Sequence, residues 1–305
     1  MLGLDGLWLR AACFSCLRAF FAAEGFLEVD TPLRLPHLLP ERHIEPLASE
    51  DFFLQPSPEL CMKRLLARGC PKIFQICHCF RKGEKGRWHH EEFMMLEWYR
   101  LDADYRQLMV DCNALLAFLA VNIGKFIPPE TSFAWPENVR EHFLTGGEVL
   151  PLANAFTRYA PLTLDEAIND GTFDETLVEH VEPRLGFSRP VFLIDYPAPF
   201  ASLARLSPDN ERIAERFELY YRGIELANGF SELTDAAEQR LRFQLEIAAI
   251  KGEGKLSPAM PERFLADLSK INQACGIAFG VDRLIMLLLG KSRLTDAVPF
   301  APDEL

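Results

Sequence analysis

Apolar positions recur along this chain with two periods, and the changes between them mark out its elements. Leu7, Ala11, Phe14, Leu17 and Phe21 stand three and four residues apart, with Arg10, Ser15 and Arg18 between them. That spacing predicts an amphipathic helix over 7–23, stopped by Gly25. A short strand from Phe26 to Val29 follows and ends at Thr31-Pro32. The stretch to about Pro56 is rich in proline and charge and reads as loops around one brief strand, 52–54. Ser57-Pro58-Glu59 then has the order of an N-cap, a first-turn proline and a first-turn acid, and Gly69 closes the helix that it opens.

Residues 72–80 (KIFQICHCF) and 92–99 (EFMMLEWY) are apolar and strand-like, and the charged, glycine-punctuated run 81–91 (RKGEKGRWHHE) separates them. Together they predict an antiparallel hairpin with a long loop. The two-residue period of a strand puts Phe93, Met95, Glu97 and Tyr99 on one face and Met94, Leu96 and Trp98 on the other. A face that carries an aromatic, a carboxylate and a phenol resembles a site; the purely apolar one packs inward.

Asp102 is positioned to cap a long helix running through Tyr105, Leu108, Cys112, Leu115 and Leu119. Residues 125–190 contain Pro128-Pro129 and helical stretches near 154–159 and 164–168, with no evident chemistry; they fit an insertion lying over the site. Strands are expected at 191–195 and 216–221. The segment 223–233 (GIELANGFSEL) is expected to bend at Asn228-Gly229, with Glu225 and Glu232 on either side. A helix follows from about Asp235, and the chain closes with a glycine-flanked strand, 276–280, leading into an apolar helix, 281–289. The strands lack regular helical crossovers, so the fold class is α+β with an antiparallel sheet.

Composition narrows the function. The 305 residues are 49% hydrophobic and 25% charged, with a formal net charge of −12. This is a globular balance, and no uninterrupted apolar run approaches the ~20 residues that cross a bilayer. Asp5, Arg10 and Arg18 interrupt the N-terminal apolar stretch and argue against a signal peptide. The acidic balance disfavours broad binding to nucleic acid. Eight cysteines are present. A zinc site from Cys70, Cys77 and Cys79 has the wrong spacing for a ribbon or knuckle, so the cysteines read as buried, reduced thiols of a cytoplasmic protein.

Four features could carry chemistry. Arg283 falls in the first turn of the last helix, where free N–H groups and the helix dipole favour anions, although an arginine there also serves as an ordinary surface charge. Arg81 ends a strand at the mouth of the charged loop. Glu225 and Glu232, if brought together by the bend, could hold Mg²⁺ beside phosphates. His89-His90-Glu91-Glu92 lacks the helical register of a hydrolytic zinc site.

Taken in order, the segments resemble a known family. Glu24–Pro32 (EGFLEVDTP) is similar to motif 1 of the class II aminoacyl-tRNA synthetases, Phe80-Arg81 through His89 to Glu97 to motif 2, and Gly280-Val281-Asp282-Arg283-Leu284 to motif 3. Ser57-Pro58-Glu59-Leu60 and Glu225–Leu233 match the lysine-specific branch. Motif 1 begins at residue 24, which leaves no room before it for an anticodon-binding domain. Glu97-Trp98-Tyr99-Arg100, Ala201-Ser202-Leu203-Ala204 and Ala278 are similar to the branch that ligates a lysine-type amino acid to elongation factor P.

The resemblance implies one class II catalytic domain over 1–305 and a homodimer built across motif 1 with Phe14, Leu17, Phe21 and Phe26 as its apolar surface. It implies an ATP- and Mg²⁺-dependent ligase that activates lysine or (R)-β-lysine as an adenylate and passes it to a lysine of elongation factor P, with no tRNA and no membrane. Arg81 and Arg283 would be catalytic, gripping the α- and γ-phosphates. Lys82, Gly83, His89, His90, Phe93, Glu225, Leu226 and Gly280 would complete the ATP site, with Phe93 stacked on adenine. Ser57, Pro58, Glu59, Glu97, Tyr99, Glu232 and Ala278 would line the amino-acid pocket, and Glu225 and Glu232 would organise the metal. Two departures fall in the ATP-contacting loop. The family's Arg-x-Glu is here Arg81-Lys82-Gly83 with Glu84 one place late, and its Asn-Pro is His90-Glu91. The alternatives are a truncated lysyl-tRNA synthetase-like enzyme that charges an RNA or a small molecule, and a non-catalytic regulatory paralogue.

Overall fold

A computed structural model of the chain describes all residues, 1–305. Its centre is a nine-stranded sheet. In spatial order the strands are Leu27–Glu28, Lys72–Phe80, Glu92–Leu101, Ala274–Gly280, Ile224–Ser231, Asn210–Tyr221, Val191–Pro197 and Glu148–Pro151, with Leu206–Ser207 paired beside Asn210–Tyr221. The interior pairings are antiparallel, and only the two end pairings are parallel. Helices cover the sheet, so the class is α+β as expected.

One face is packed by helices. Leu4–Ala23, Tyr105–Asn122 and Val281–Leu288 bury Leu17, Phe21, Leu115 and Ile285 against Phe74, Leu96, Trp98 and Ile277. The first and second of these are long and apolar enough to cross a bilayer by length and composition, yet each lays a buried face on the sheet. The opposite face carries Tyr99, covered in part by the short helices Glu59–Leu66 and Glu262–Leu268 and by Phe243 of the helix Ala236–Gly252. It leaves an open floor in the middle of the sheet.

Several expectations need correction. The first helix buries Leu9, Ala12, Cys13, Cys16, Leu17, Phe20 and Phe21, while Leu7 and Ala11 are exposed. Cysteine and alanine act here as small hydrophobes that let the helix approach the sheet closely. Leu17, Phe21 and Phe26 are therefore enclosed within the chain and are not available as a dimer surface. Asp104, not Asp102, caps the second long helix, accepting from the Arg106 amide at 2.9 Å. Asp102 instead takes a left-handed conformation (φ 54°) in the preceding turn.

The strand Ile224–Ser231 runs unbroken through Asn228-Gly229. The glycine is a packing requirement and not a turn: a Cβ on Gly229 would lie 2.7 Å from the Phe217 ring. Residues 125–190 lie beside the site and not over it. They add the edge strand Glu148–Pro151 and a second core around Leu152, Phe156, Phe173 and Val181, and only their Asp174 reaches the central cavity.

Candidate active site

The open floor is the base of a cavity of about 860 Å³. Sheet register fixes what stands there. Glu97 lies opposite Ala278, Ala278 opposite Asn228, and Asn228 opposite Glu218, so four strands contribute one transverse row. The next row is Tyr99, Gly276, Phe230 and Arg216. Side chains directly opposite one another share a face, so both rows look into the cavity. Gly276 has to lack a side chain, because a Cβ there would run into the Tyr99 ring and the Glu232 carboxylate.

One end of this cavity is acidic. Ser57 and Glu59 enter from the start of the Glu59–Leu66 helix, where the Ser57 hydroxyl accepts from the Glu59 amide at 3.0 Å. The Tyr99 hydroxyl donates to Glu97 Oε2 at 2.7 Å. Glu232 lies buried behind Tyr99 and Gly276. Lys63, 2% exposed, sets its ammonium between Glu59 and Glu232 and bonds to both. Burial alone would lower the pKa of Lys63, but the two carboxylates hold it above its ordinary value. Burial first, and then the charge of Glu59, push Glu97 up to about 8. Burial likewise raises Glu232, and Lys63 opposes that rise.

A second cavity, of about 140 Å³, adjoins the first and sets two arginines among its lining. Arg81, Glu84, His89, His90, Phe93, Glu225, Leu226, Gly280 and Arg283 line it. Gly280 caps the last helix, so Arg283 extends from its first turn. Arg283 donates to the Glu225 backbone oxygen at 2.7 Å and to Glu225 Oε2 at 3.1 Å, and its Nη2 lies 2.7 Å from His89 Nε2. Arginine has no acceptor, so His89 must accept through Nε2. Burial and the adjacent guanidinium lower the pKa of His89, which keeps the ring neutral for that role. The Arg81 guanidinium stacks 5.2 Å from the Phe93 ring centre. Burial works against its charge, but Glu84 and Glu41 more than offset this. Arg81, Asn228 and Ala278 line both cavities and form the junction between them.

Most of the expected residues therefore converge, in two groups. Three residues and the pair of carboxylates do not take the expected place. Lys82 pairs with Glu45 at the surface, and the Gly83 amide is bonded to Glu91, so neither faces the second cavity. Pro58 serves the backbone, its carbonyl accepting from Cys61 and Met62. Glu225 and Glu232 do not form a metal pair. The strand between them is extended, which at ~3.3 Å per residue separates them by roughly 20 Å. Only Glu225 faces the second cavity.

Lys63, Asn228 and Arg216 were not anticipated. Lys63 was readable as the partner four residues on from Glu59, in a helix otherwise apolar on that side. Asn228 was hidden by the reading of Asn-Gly as a turn.

A sequence profile for tRNA synthetases class II (D, K and N) matches residues 5–304. The chain is 39% identical to an elongation factor P–(R)-β-lysine ligase of Edwardsiella ictaluri, over 97% of this chain and 94% of that protein. It is 39% identical to the ligase of the same name from Salmonella arizonae, and 37% identical to the one from Klebsiella pneumoniae. Each of these two matches spans 99% of this chain and 96% of the relative. With its sheet, its two joined cavities and these relatives in agreement, the chain belongs to the class II tRNA synthetase family of the D, K and N type.

Proposed function

We propose that this chain, an amino-acid-activating ligase by its family, joins a lysine-type amino acid of the (R)-β-lysine kind to a lysine of elongation factor P at the expense of ATP. The observation that carries the reading is the junction, at Arg81, Asn228 and Ala278, of a cavity with an acidic end and one into which two arginines reach. The ammonium groups of a diamino acid suit Glu59 and Glu97, which line the first cavity, and phosphates suit Arg81 and Arg283. A carboxylate held at one side then meets an α-phosphate held at the other.

In the first step a carboxylate oxygen attacks the α-phosphorus, the bond to the β-phosphate oxygen breaks, and pyrophosphate leaves. Arg81 stabilises the charge that gathers on the α-phosphate. Positioning and charge stabilisation are enough for this step, without a protein nucleophile. In the second step the neutral amine of the acceptor lysine attacks the carbonyl carbon. The carbon–oxygen bond to phosphate breaks, AMP leaves, and the amide nitrogen gives up a proton. Any Mg²⁺ that accompanies the nucleotide would find Glu225 as a side-chain oxygen in its cavity and would supply further neutralisation of phosphate charge. Eight free thiols suit a reducing cytoplasm.

Amino-acid-dependent exchange of pyrophosphate into ATP, screened over α-lysine, (R)-β-lysine and other diamino acids, tests the first step. Mass spectrometry of elongation factor P after incubation tests the second and should find one added residue on one lysine. Charging of tRNA with the factor left unmodified would overturn the acceptor.

A further inference from the structure

Asn228 stands at the junction of the two cavities, and a carboxamide there can present either an acceptor or two donors. Its neighbour decides which. Arg216, on the adjacent strand, donates from Nε to Asn228 Oδ1 at 3.1 Å. Because guanidinium offers donors only, the atom of Asn228 that faces it has to be the oxygen. The NH₂ group is then turned the other way.

Arg216 is itself held on three more sides. Nη1 donates to the Phe200 carbonyl at 2.8 Å, Nη2 donates to Glu218 Oε1 at 2.6 Å, and the guanidinium lies 4.4 Å from the Tyr196 ring centre. Glu218 also accepts from the Tyr196 and Tyr220 hydroxyls, each at 2.6 Å, so the support beneath Arg216 is itself fixed.

We propose that Arg216 is a positioning residue that locks the Asn228 carboxamide with its NH₂ toward the junction, where it donates to the amino-acid carboxylate as that group meets the α-phosphate. The assignment rests on the ligase reading above and deepens it: the lock selects a ligand that carries a carboxylate at this point. A diamine of the same length without the carboxylate would bind without using it.

The test compares wild type with Arg216→Lys, which keeps the charge beside Glu218 but cannot reach Glu218, Phe200 and Asn228 together. Calorimetric binding of (R)-β-lysine and of pentane-1,4-diamine, the same skeleton without its carboxylate, is measured alongside the KM and kcat of pyrophosphate exchange. Arg216→Lys should weaken the amino acid at least ~10-fold and lower exchange by ~10², the loss typical of one preorganised donor. The KM for ATP and the affinity for the diamine should stay unchanged. Asn228→Ala should do the same, and the double variant should be no worse than either single one.

Equal weakening of diamine and amino acid, or losses that multiply in the double variant, would overturn the assignment. Should Arg216→Lys fail to fold, Asn228→Asp keeps the pair with Arg216 but turns an acceptor toward the junction. It should lose the amino acid and keep the diamine; wild-type affinity for the amino acid would again overturn the assignment. A wild type that activates no amino acid overturns the ligase reading itself, whereas exchange indifferent to Arg216→Lys overturns only the role of Arg216.

Discussion

The Gly83 amide donates to Glu91 Oε1 at 2.8 Å across the tip of the long hairpin. These residues belong to the two places where the loop departs from its family's pattern, and here they bind each other. Gly83 sits at φ 77°, a left-handed conformation that glycine adopts without penalty. The turn it makes lets Glu84, one place late, still reach Arg81 at 3.4 Å. Gly83→Ala should cost about 1 kcal/mol from the backbone alone. It should also raise the KM for ATP several-fold, as should Glu91→Gln. Thermal unfolding and exchange kinetics measure the two effects, and the double variant should show less than the sum of the singles.

On the proposed function, Arg81→Ala and Arg283→Ala should each reduce pyrophosphate exchange by ~10²–10³, because each removes a fixed cation from the cavity proposed to take the phosphates. His89→Ala should act mainly through the KM for ATP, since His89 only steers Arg283. A His89 variant as damaged in kcat as Arg283→Ala would contradict that division.

Glu97, at about 8, is mostly protonated in the free protein at neutral pH. A bound ammonium favours the ionised form, so binding of the diamino acid should expel a proton and tighten as pH rises toward 8. Calorimetry at pH 7 in buffers of different ionisation enthalpy should register the released proton, and Glu97→Gln should abolish it. The same shift acts on folding. The folded chain keeps this proton above the ordinary glutamate range near 4.3, so Glu97 takes away stability as pH climbs from about 4 to about 8.

Lys63→Met should be costly, because it strands Glu59 and Glu232 without their shared cation. Removing one member of a buried ion pair typically costs ~3–5 kcal/mol. Adding Glu232→Gln should restore part of that stability in thermal unfolding while amino-acid binding stays impaired. A Lys63→Met protein as stable as wild type would mean that the carboxylates are neutral in the free state.

Assembly gives a further test. The first helix exposes Leu4, Leu7 and Trp8, and a second copy of the chain is the partner expected for that surface. Light scattering should return twice the 34.7 kDa of the chain, and Trp8→Glu should shift the protein toward monomer.

The hairpin from Lys72 to Leu101 was legible because strand periodicity and a charged loop are local signals. Arg283 was legible because a glycine-flanked strand running into an apolar helix announces a helix start. What local patterns could not supply was partnership across strands. The Asn228-Gly229 pair has the composition of a turn, yet Phe217 and Ile277 from neighbouring strands claim the space beside the glycine and keep the strand straight. Burial was misread on the first helix for a related reason, since only the packed sheet decides which of two overlapping apolar stripes turns inward. The metal pair failed with the bend on which it depended.

The transverse row from Glu97 to Glu218 sits on interior strands, each hydrogen-bonded on both sides, whereas Arg81 and His89 hang on a loop tied down at a few points. Backbone opening is therefore unequal across the junction. Amide hydrogens of Ala274–Gly280 and Ile224–Ser231 should exchange with solvent only in global unfolding, while those of 81–91 should exchange through small local openings. Nucleotide should slow the loop amides and the amino acid alone should not. On this view the amino-acid cavity is a rigid gauge, and the nucleotide cavity is finished only when its occupant arrives.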